Sequence, residues 1–199
     1  MAGKFIVFEG GDGSGLSTHS KMLADYLRAK GHDVLLTKEP TSNNIGVMIK
    51  ETLLKEREKI SPLALQLMFC ADRAQHLEEE IEPALKAGKI VVCDRYVLSL
   101  LAFGSLECDM AFLKQVNAPF RKPDLNFIID VPAEISLERI KRTRGETELY
   151  EKLESLKSVR ANYQKLKDHF QNTFVVNNNR PIEEAAAEVK KIAQKVLKP

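Results

Sequence analysis

The chain has 199 residues, 29% of them charged and 44% hydrophobic, with a formal net charge of +2. That length suits one ordinary domain with a full core, and the balance is that of a soluble globular protein. A charge so close to zero excludes a dedicated nucleic-acid binder, so affinity for phosphate must come from a local site.

An apolar strand begins within four residues of Met1, which leaves no room for a signal peptide. No apolar run approaches the roughly 20 residues of a membrane helix, so no membrane partner is expected. Cys70, Cys93 and Cys108 are odd in number and lack C-x-x-C spacing, which predicts reduced core thiols in a cytoplasmic protein. The histidines His19, His32, His76 and His169 show no ligand spacing and are read as surface or helix-face residues.

Phe5-Ile6-Val7-Phe8 is uniformly apolar, the pattern of a buried parallel strand. Gly10-Gly11-Asp12-Gly13-Ser14-Gly15-Leu16-Ser17 follows, and then a helix over 17–30 stopped by Gly31. The end glycines and Ser17-Thr18 fit G-x-x-x-x-G-K-[ST]; only the lysine fails, with leucine at 16. The strand–loop–helix context marks a phosphate-binding loop. Successive amides from Gly11 through Ser17 can curl around an anion at the helix N-terminus, and the Ser17 hydroxyl suits Mg²⁺. Val34-Leu35-Leu36 predicts the second strand, and Ile45 to about Lys55 a helix. Ser61-Pro62 opens a long helix as N-cap and first residue. It runs to about Ala87, kinked at Pro83, with Gly88 behind it.

On that helix Phe69 and Arg73 share a face and together suit a nucleobase, one to stack on it and one to hydrogen-bond it. Asp72-Arg73 and Glu78-Glu79-Glu80 otherwise read as a solvated face. Ile90-Val91-Val92-Cys93 predicts the third strand. Asp94-Arg95-Tyr96 at its end offers a carboxylate for a hydrated Mg²⁺ and an arginine to grip a phosphate, or simply a strand-end salt bridge. One or two helices span 98–117. Phe127-Ile128-Ile129 forms the fourth strand after the Lys122-Pro123-Asp124 turn, and a helix covers 133–142. Lys141-Arg142-Thr143-Arg144-Gly145 is then either a lid that closes on phosphates or a solvated basic loop. A charged helix from about 149 to 169, a strand at Phe174-Val175-Val176 and an amphipathic helix over 182–197 complete the chain.

Short apolar strands alternating with helices predict an α/β fold, a five-stranded parallel sheet with helices on both faces. Ligands then bind beyond the carboxyl ends of the strands, where the glycine-rich loop, Glu39, Asp94-Arg95 and Asp130 fall. No repeat or linker divides the sequence, so residues 1–199 are expected to form one domain, with 141–149 as a lid within it.

Several of these motifs, in this order, resemble thymidylate kinases over nearly the whole chain. They are Phe8-Glu9-Gly10 with Asp12-Gly13, Glu39-Pro40-Thr41, the run Leu67 to His76, Ile90 to Tyr96, Lys122-Pro123-Asp124-Leu125, and Arg160-Ala161-Asn162-Tyr163. The run Glu39 to Gly46 is archaeal in style. The resemblance implies a P-loop nucleotide kinase fold with a short lid, and homodimers joined across long helices. It implies Mg²⁺-dependent transfer of the γ-phosphoryl group of ATP to dTMP, giving dTDP for dTTP synthesis. Carried over residue by residue, Gly10, Gly11, Asp12, Gly13, Ser14, Gly15, Leu16, Ser17 and Thr18 would hold ATP. Ser17 and Asp94 would serve the metal. Glu39, Pro40, Phe69, Arg73, Arg95, Ser99, Leu100 and Phe103 would form the dTMP site, with Phe69 stacked on thymine and Arg73 bonded to the base. Asp12, between the donor and acceptor phosphates, Arg95, and the lid residues Arg142 and Arg144 would be catalytic.

The departures fall at working positions. Leu16 replaces the lysine, Leu100 a polar residue, Phe103 a tyrosine, Gly104 often a glutamine, and Gly11 a branched apolar residue. One lost preorganised donor costs ~10²–10³ in rate. Three readings follow: a thymidylate kinase that is slowed or uses a substitute cation, a catalytically silent nucleotide-binding homologue, or a nucleoside-monophosphate kinase with a different acceptor.

Overall fold

The computed structural model describes residues 3–54, 60–144 and 149–197, with side chains described outside 54, 143–144 and 149–151. Strands β1 (Lys4–Gly10), β2 (Val34–Lys38), β3 (Ile90–Asp94), β4 (Leu125–Asp130) and β5 (Thr173–Asn177) form one parallel sheet in the order β2-β3-β1-β4-β5. Each predicted strand is present and extends beyond its apolar run, because ladder pairing continues where apolar character stops. Phe8 pairs with Asp94, and Gly10 with Ile129.

Alternation along the strands divides the core between the two faces. Ile6, Phe8, Val92, Phe127 and Ile129 meet α1 (Leu16–Ala29) and α9 (Ile182–Val196) through Leu16, Leu23, Leu27 and Val189. Phe5, Val7, Val91 and Ile128 face the opposite way. Packed against them are Ile81, Leu98 and Leu101 of α5 (Val97–Gly104), Leu113 of α6 (Met110–Asn117), and Val159 and Tyr163 of α8 (Leu149–Leu166). Between β4 and α8, α7 (Ala133–Arg144) sets Leu137 and Ile140 against Leu156. After β2, α2 spans Asn44–Leu54.

The long helix expected over 61–87 is divided. Ser61 caps α3 (Pro62–His76) by accepting from Ala64 N at 3.3 Å. A π-helical turn at Leu77–Ile81 then leads into α4 (Glu82–Lys86). Glu82 N bonds the Leu77 carbonyl, five residues back, and Pro83, which has no N–H to give, lies in the first turn of α4. The helical stretch 98–117 likewise splits where the Asp109 carboxylate caps α6 through Phe112 N at 2.7 Å. His32 and His169 are exposed as expected, but His19 and His76 are each 1% exposed. All three cysteines are free, Cys93 buried and the others half-buried.

Candidate active site

The loop between β1 and α1 folds as it does because three glycines take backbone angles costly for other residues: Gly10 at φ 157°, Gly13 at 73° and Gly15 at 90°. At Gly13 a Cβ would also lie 2.6 Å from the Ser136 carbonyl. Gly15 precedes α1, and the amides of Gly13, Gly15, Leu16 and Ser17 find no acceptor among the described residues. Unpaired amides at a helix N-terminus, with the helix dipole behind them, form a seat for an anion.

Asn178, just beyond β5, supports this loop. Its Nδ2 donates to Ser14 O at 2.7 Å while its Oδ1 accepts from His19 Nε2 at 2.9 Å. Burial, with the charges of Arg139 and Arg180 nearby, holds His19 below the usual histidine range. Arg139 of α7 donates to Asn178 O at 3.0 Å and lies 3.5 Å from the Gly13 and Ser14 carbonyls. It was not anticipated from the sequence, which placed the cations of this region at 141–144. Arg142 is exposed one turn further along α7, while the Arg144 side chain and residues 145–148 of the expected lid lie outside the described residues.

Leu16 is 4% exposed and packs in the core beneath the loop. Position 16 therefore contributes a backbone amide to the loop and a methyl-bearing side chain to the core, where a lysine would reach for phosphate.

Arg95 joins β3 to α5 at φ 70°, a left-handed conformation that the surrounding contacts must hold in place. Its backbone N–H donates to Phe8 O at 2.8 Å. Its Nη1 donates to Gly10 O at 2.8 Å and to Ser99 Oγ at 3.2 Å, and its Nη2 to Asp12 Oδ1 at 2.8 Å. The guanidinium also lies 5.3 Å from the Phe103 ring centre. A carboxylate that sequence reasoning did not single out lies behind this arginine. Glu9 accepts from Leu98 N at 3.0 Å and from Ser99 Oγ at 2.5 Å. Ser99 Oγ is also 2.9 Å from the Tyr163 hydroxyl, which donates to Gly10 O at 3.1 Å. Burial pushes the Glu9 carboxyl up to about 7, although Ser99 and Arg95 pull it down. The signal available in the sequence was a carboxylate closing an apolar strand.

Arg73, expected to bond a base, is 1% exposed. Its Nε and Nη2 donate to Glu39 Oε2 at 2.9 and 2.7 Å, and its Nη1 to Asn117 Oδ1 at 2.5 Å. Its guanidinium carbon lies 4.8 Å from the Tyr96 ring centre. Three of the five guanidinium N–H groups are thus engaged and two remain. The other Glu39 oxygen is 3.2 Å from His76 Nδ1, so Glu39 is chiefly the buried counter-charge of Arg73. Asp72 is fully buried, accepting from Thr41 N at 2.9 Å and Thr41 Oγ1 at 2.6 Å and so fixing the loop after β2. Burial of Asp72 and Arg73 overturns their alternative reading as a solvated face.

A cavity of about 360 Å³ contains all eight expected acceptor-site residues: Glu39, Pro40, Phe69, Arg73, Arg95, Ser99, Leu100 and Phe103. A second, of about 390 Å³, runs along Gly11 to Thr18 with Arg95 and Arg139. Asp12 and Arg95 line both, so the two cavities meet at that ion pair. A larger hollow of about 640 Å³ around Lys4 and Asn172 holds none of these residues and lies at the amino ends of the strands, away from the end where such sheets bind ligands.

The oxygen donors present suit Mg²⁺, which keeps much of its water and needs only one or two protein ligands beside phosphate. The Ser17 hydroxyl is exposed at the start of α1. Asp94 is 8% exposed, and its carboxylate has no hydrogen-bond partner among the described residues.

Residues 8–189 match the pattern of the thymidylate kinase family. The chain is similar to a probable thymidylate kinase of Pyrococcus horikoshii, 43% identical over 194 residues that cover 95% of each chain. A thymidylate kinase of Desulfotalea psychrophila is 45% identical over 159 residues, covering 79% of this chain and 78% of the relative. One from Caldicellulosiruptor saccharolyticus is 33% identical over 204 residues, which is 100% of this chain and 99% of the relative. Full-length likeness to these proteins, joined to a phosphate loop whose cavity meets a nucleotide-sized cleft, identifies the chain as a member of the thymidylate kinase family.

Proposed function

We propose that the protein transfers the γ-phosphoryl group of ATP to dTMP, giving dTDP and ADP. The observation that carries this reading is the meeting of the two cavities at Asp12 and Arg95. ATP lies with its phosphates on the Gly10–Thr18 loop, and dTMP in the cleft with its base against Phe69 and its phosphate on Arg95. The dTMP phosphate is largely a dianion at neutral pH, so its oxygen attacks without losing a proton. The bond from that oxygen to the γ-phosphorus forms as the bond to the β-phosphate oxygen breaks, and ADP leaves with the electrons.

Catalysis of such transfer is positioning and charge stabilisation. Arg95 is fixed in advance by Gly10, Asp12 and Ser99, so it supplies charge with little reorganisation. The loop amides hold the donor phosphates, and Arg142 and Arg144 complete the charge from the lid. Ser17 and Asp94 would hold Mg²⁺, which would offset the negative charge of the phosphates. With no ammonium at position 16, turnover is lower by ~10²–10³ than a lysine would allow.

The protein acts as a cytoplasmic homodimer. Leu63 and Leu67, one turn apart on α3, are 45% and 44% exposed, and Phe112 on α6 is 38% exposed, which suits a helix-to-helix interface. Sedimentation at micromolar concentration checks this point. The activity is tested by offering dTMP, dUMP, dCMP and dGMP with ATP and Mg²⁺. dTMP is expected to be phosphorylated with the highest kcat/KM; faster use of another acceptor overturns the assignment.

A further inference from the structure

We infer that Gln66 is a base-binding residue, accepting the ring N–H that Arg73 cannot serve and that Leu100 leaves unmet. This rests on the reading of the cleft as the dTMP site. Gln66 lies on α3 three residues before Phe69 and seven before Arg73, so the three share a helix face, and all line the cavity. It is 8% exposed, yet its carboxamide has no hydrogen-bond partner among the described residues. Its oxygen and nitrogen are nevertheless not sealed from solvent, so the carboxamide faces the cavity with hydrogen-bonding capacity that the protein leaves unused. A ligand in the cavity can supply the partners.

A second observation comes from across the cleft. A Cβ on Gly104 would lie 2.7 Å from Gln66 Oε1 and 2.8 Å from its Cδ. Any side chain at 104 would push the carboxamide away, so glycine there is what lets Gln66 occupy this wall. The same short helix carries Leu100, buried and without a polar atom to offer.

An imide base such as thymine presents two carbonyls and one ring N–H. The spare N–H groups of Arg73 suit a carbonyl, but a guanidinium accepts nothing. Among the other side-chain acceptors lining the cavity, Glu39 is engaged by Arg73 and His76, Asp12 by Arg95, and Ser99 Oγ by Glu9, Arg95 and Tyr163; Glu107 is exposed at the rim, and the Tyr96 hydroxyl, without a partner among the described residues, is sealed from the cavity surface. Gln66 Oε1 remains as the buried acceptor for the ring N–H, with its NH₂ free to meet a flanking carbonyl.

The test is calorimetric binding of dTMP, N3-methyl-dTMP and ATP to the unaltered protein, Gln66→Ala and Gly104→Ala. Gln66→Ala is expected to weaken dTMP by about ten-fold, as when one net hydrogen bond is lost, and to leave ATP affinity unchanged. N3-methylation should weaken binding to the unaltered protein by a similar factor and have little further effect in Gln66→Ala. Gly104→Ala, which retains the glutamine but displaces it, should reproduce the loss and provides a second route if Gln66→Ala folds poorly. Unchanged dTMP affinity in both variants, or an undiminished N3-methyl penalty in Gln66→Ala, overturns the inference while the dTMP site stands. Failure of the unaltered protein to bind dTMP overturns the site as well.

Discussion

Replacing Glu9 by glutamine removes a titrating group while keeping an amide oxygen to accept from Leu98 N; the other carboxylate oxygen, which accepts from Ser99 Oγ, becomes an NH₂ that donates to it. In the fold, burial raises this carboxyl from 4.5 to about 7 against the opposing pull of Ser99, Arg95 and Arg73. The folded chain therefore binds the proton more tightly than the unfolded chain. The stability that this supplies is complete below about pH 4.5 and declines as pH rises toward 7. That difference corresponds to roughly 3 kcal/mol lost across the window.

Urea denaturation of both proteins at intervals from pH 4.5 to 8.5 isolates the effect. The variant should match the parent within about 1 kcal/mol at pH 4.5 and exceed it by roughly 3 kcal/mol more at pH 8.5. His19 acts in the opposite sense. Its pKa is lowered, so its contribution is present above its ordinary value and is lost as pH falls. Being common to both proteins, it cancels in the difference. A difference that does not vary with pH would show that the carboxyl ionises normally and would refute this reasoning.

Leu16→Lys should raise turnover by ~10²-fold with little change in ATP KM, while costing up to about 2 kcal/mol of stability because the leucine belongs to the core; unchanged turnover would mean that another cation already fills the role. Glu39→Ala should destabilise the protein by about 3–5 kcal/mol in urea, since it strands the buried guanidinium of Arg73. A loss under about 1 kcal/mol would contradict the pairing. The two loop glycines should respond in opposite directions. A Cβ on Gly11 would meet nothing within 4 Å, so Gly11→Ala should be neutral or stabilise by up to about 1 kcal/mol. Gly13→Ala, at φ 73° against the Ser136 carbonyl, should cost more than about 1 kcal/mol, and thermal melts of the pair check both.

What the sequence revealed and what it hid have a common physical basis. Periodicity and glycine placement are local, so five strands, the loop and most helices could be read directly. Arg95 and Asp12 could be placed at one end of the sheet because parallel topology gathers the carboxyl ends of β1 and β3. Contacts between distant segments left little trace. Glu39, Arg73, His76 and Asn117 meet only after β2, α3 and α6 pack, and in sequence Asp72-Arg73 looks like an ordinary charged helix face. The π-helical turn before Pro83 was likewise out of reach, because a proline announces a disruption without saying how the backbone absorbs it. Leu16 was visible as a missing lysine, but its place in the core was not. Gln66 had no motif to mark it and stands out only because packing turns its carboxamide, unpartnered among the described residues, toward the cavity.

The central claim is that a phosphate loop without its lysine still supports transfer to dTMP, using Arg95 and the loop amides. The direct measurement is a single-turnover assay with the protein in excess over γ-labelled ATP, with saturating dTMP and Mg²⁺. Labelled dTDP should form at a rate that falls by at least about 10²-fold in Arg95→Ala, the size expected for loss of one preorganised donor. Binding of both nucleotides with no dTDP at the highest protein concentration would contradict the account and identify a silent nucleotide-binding member of the family.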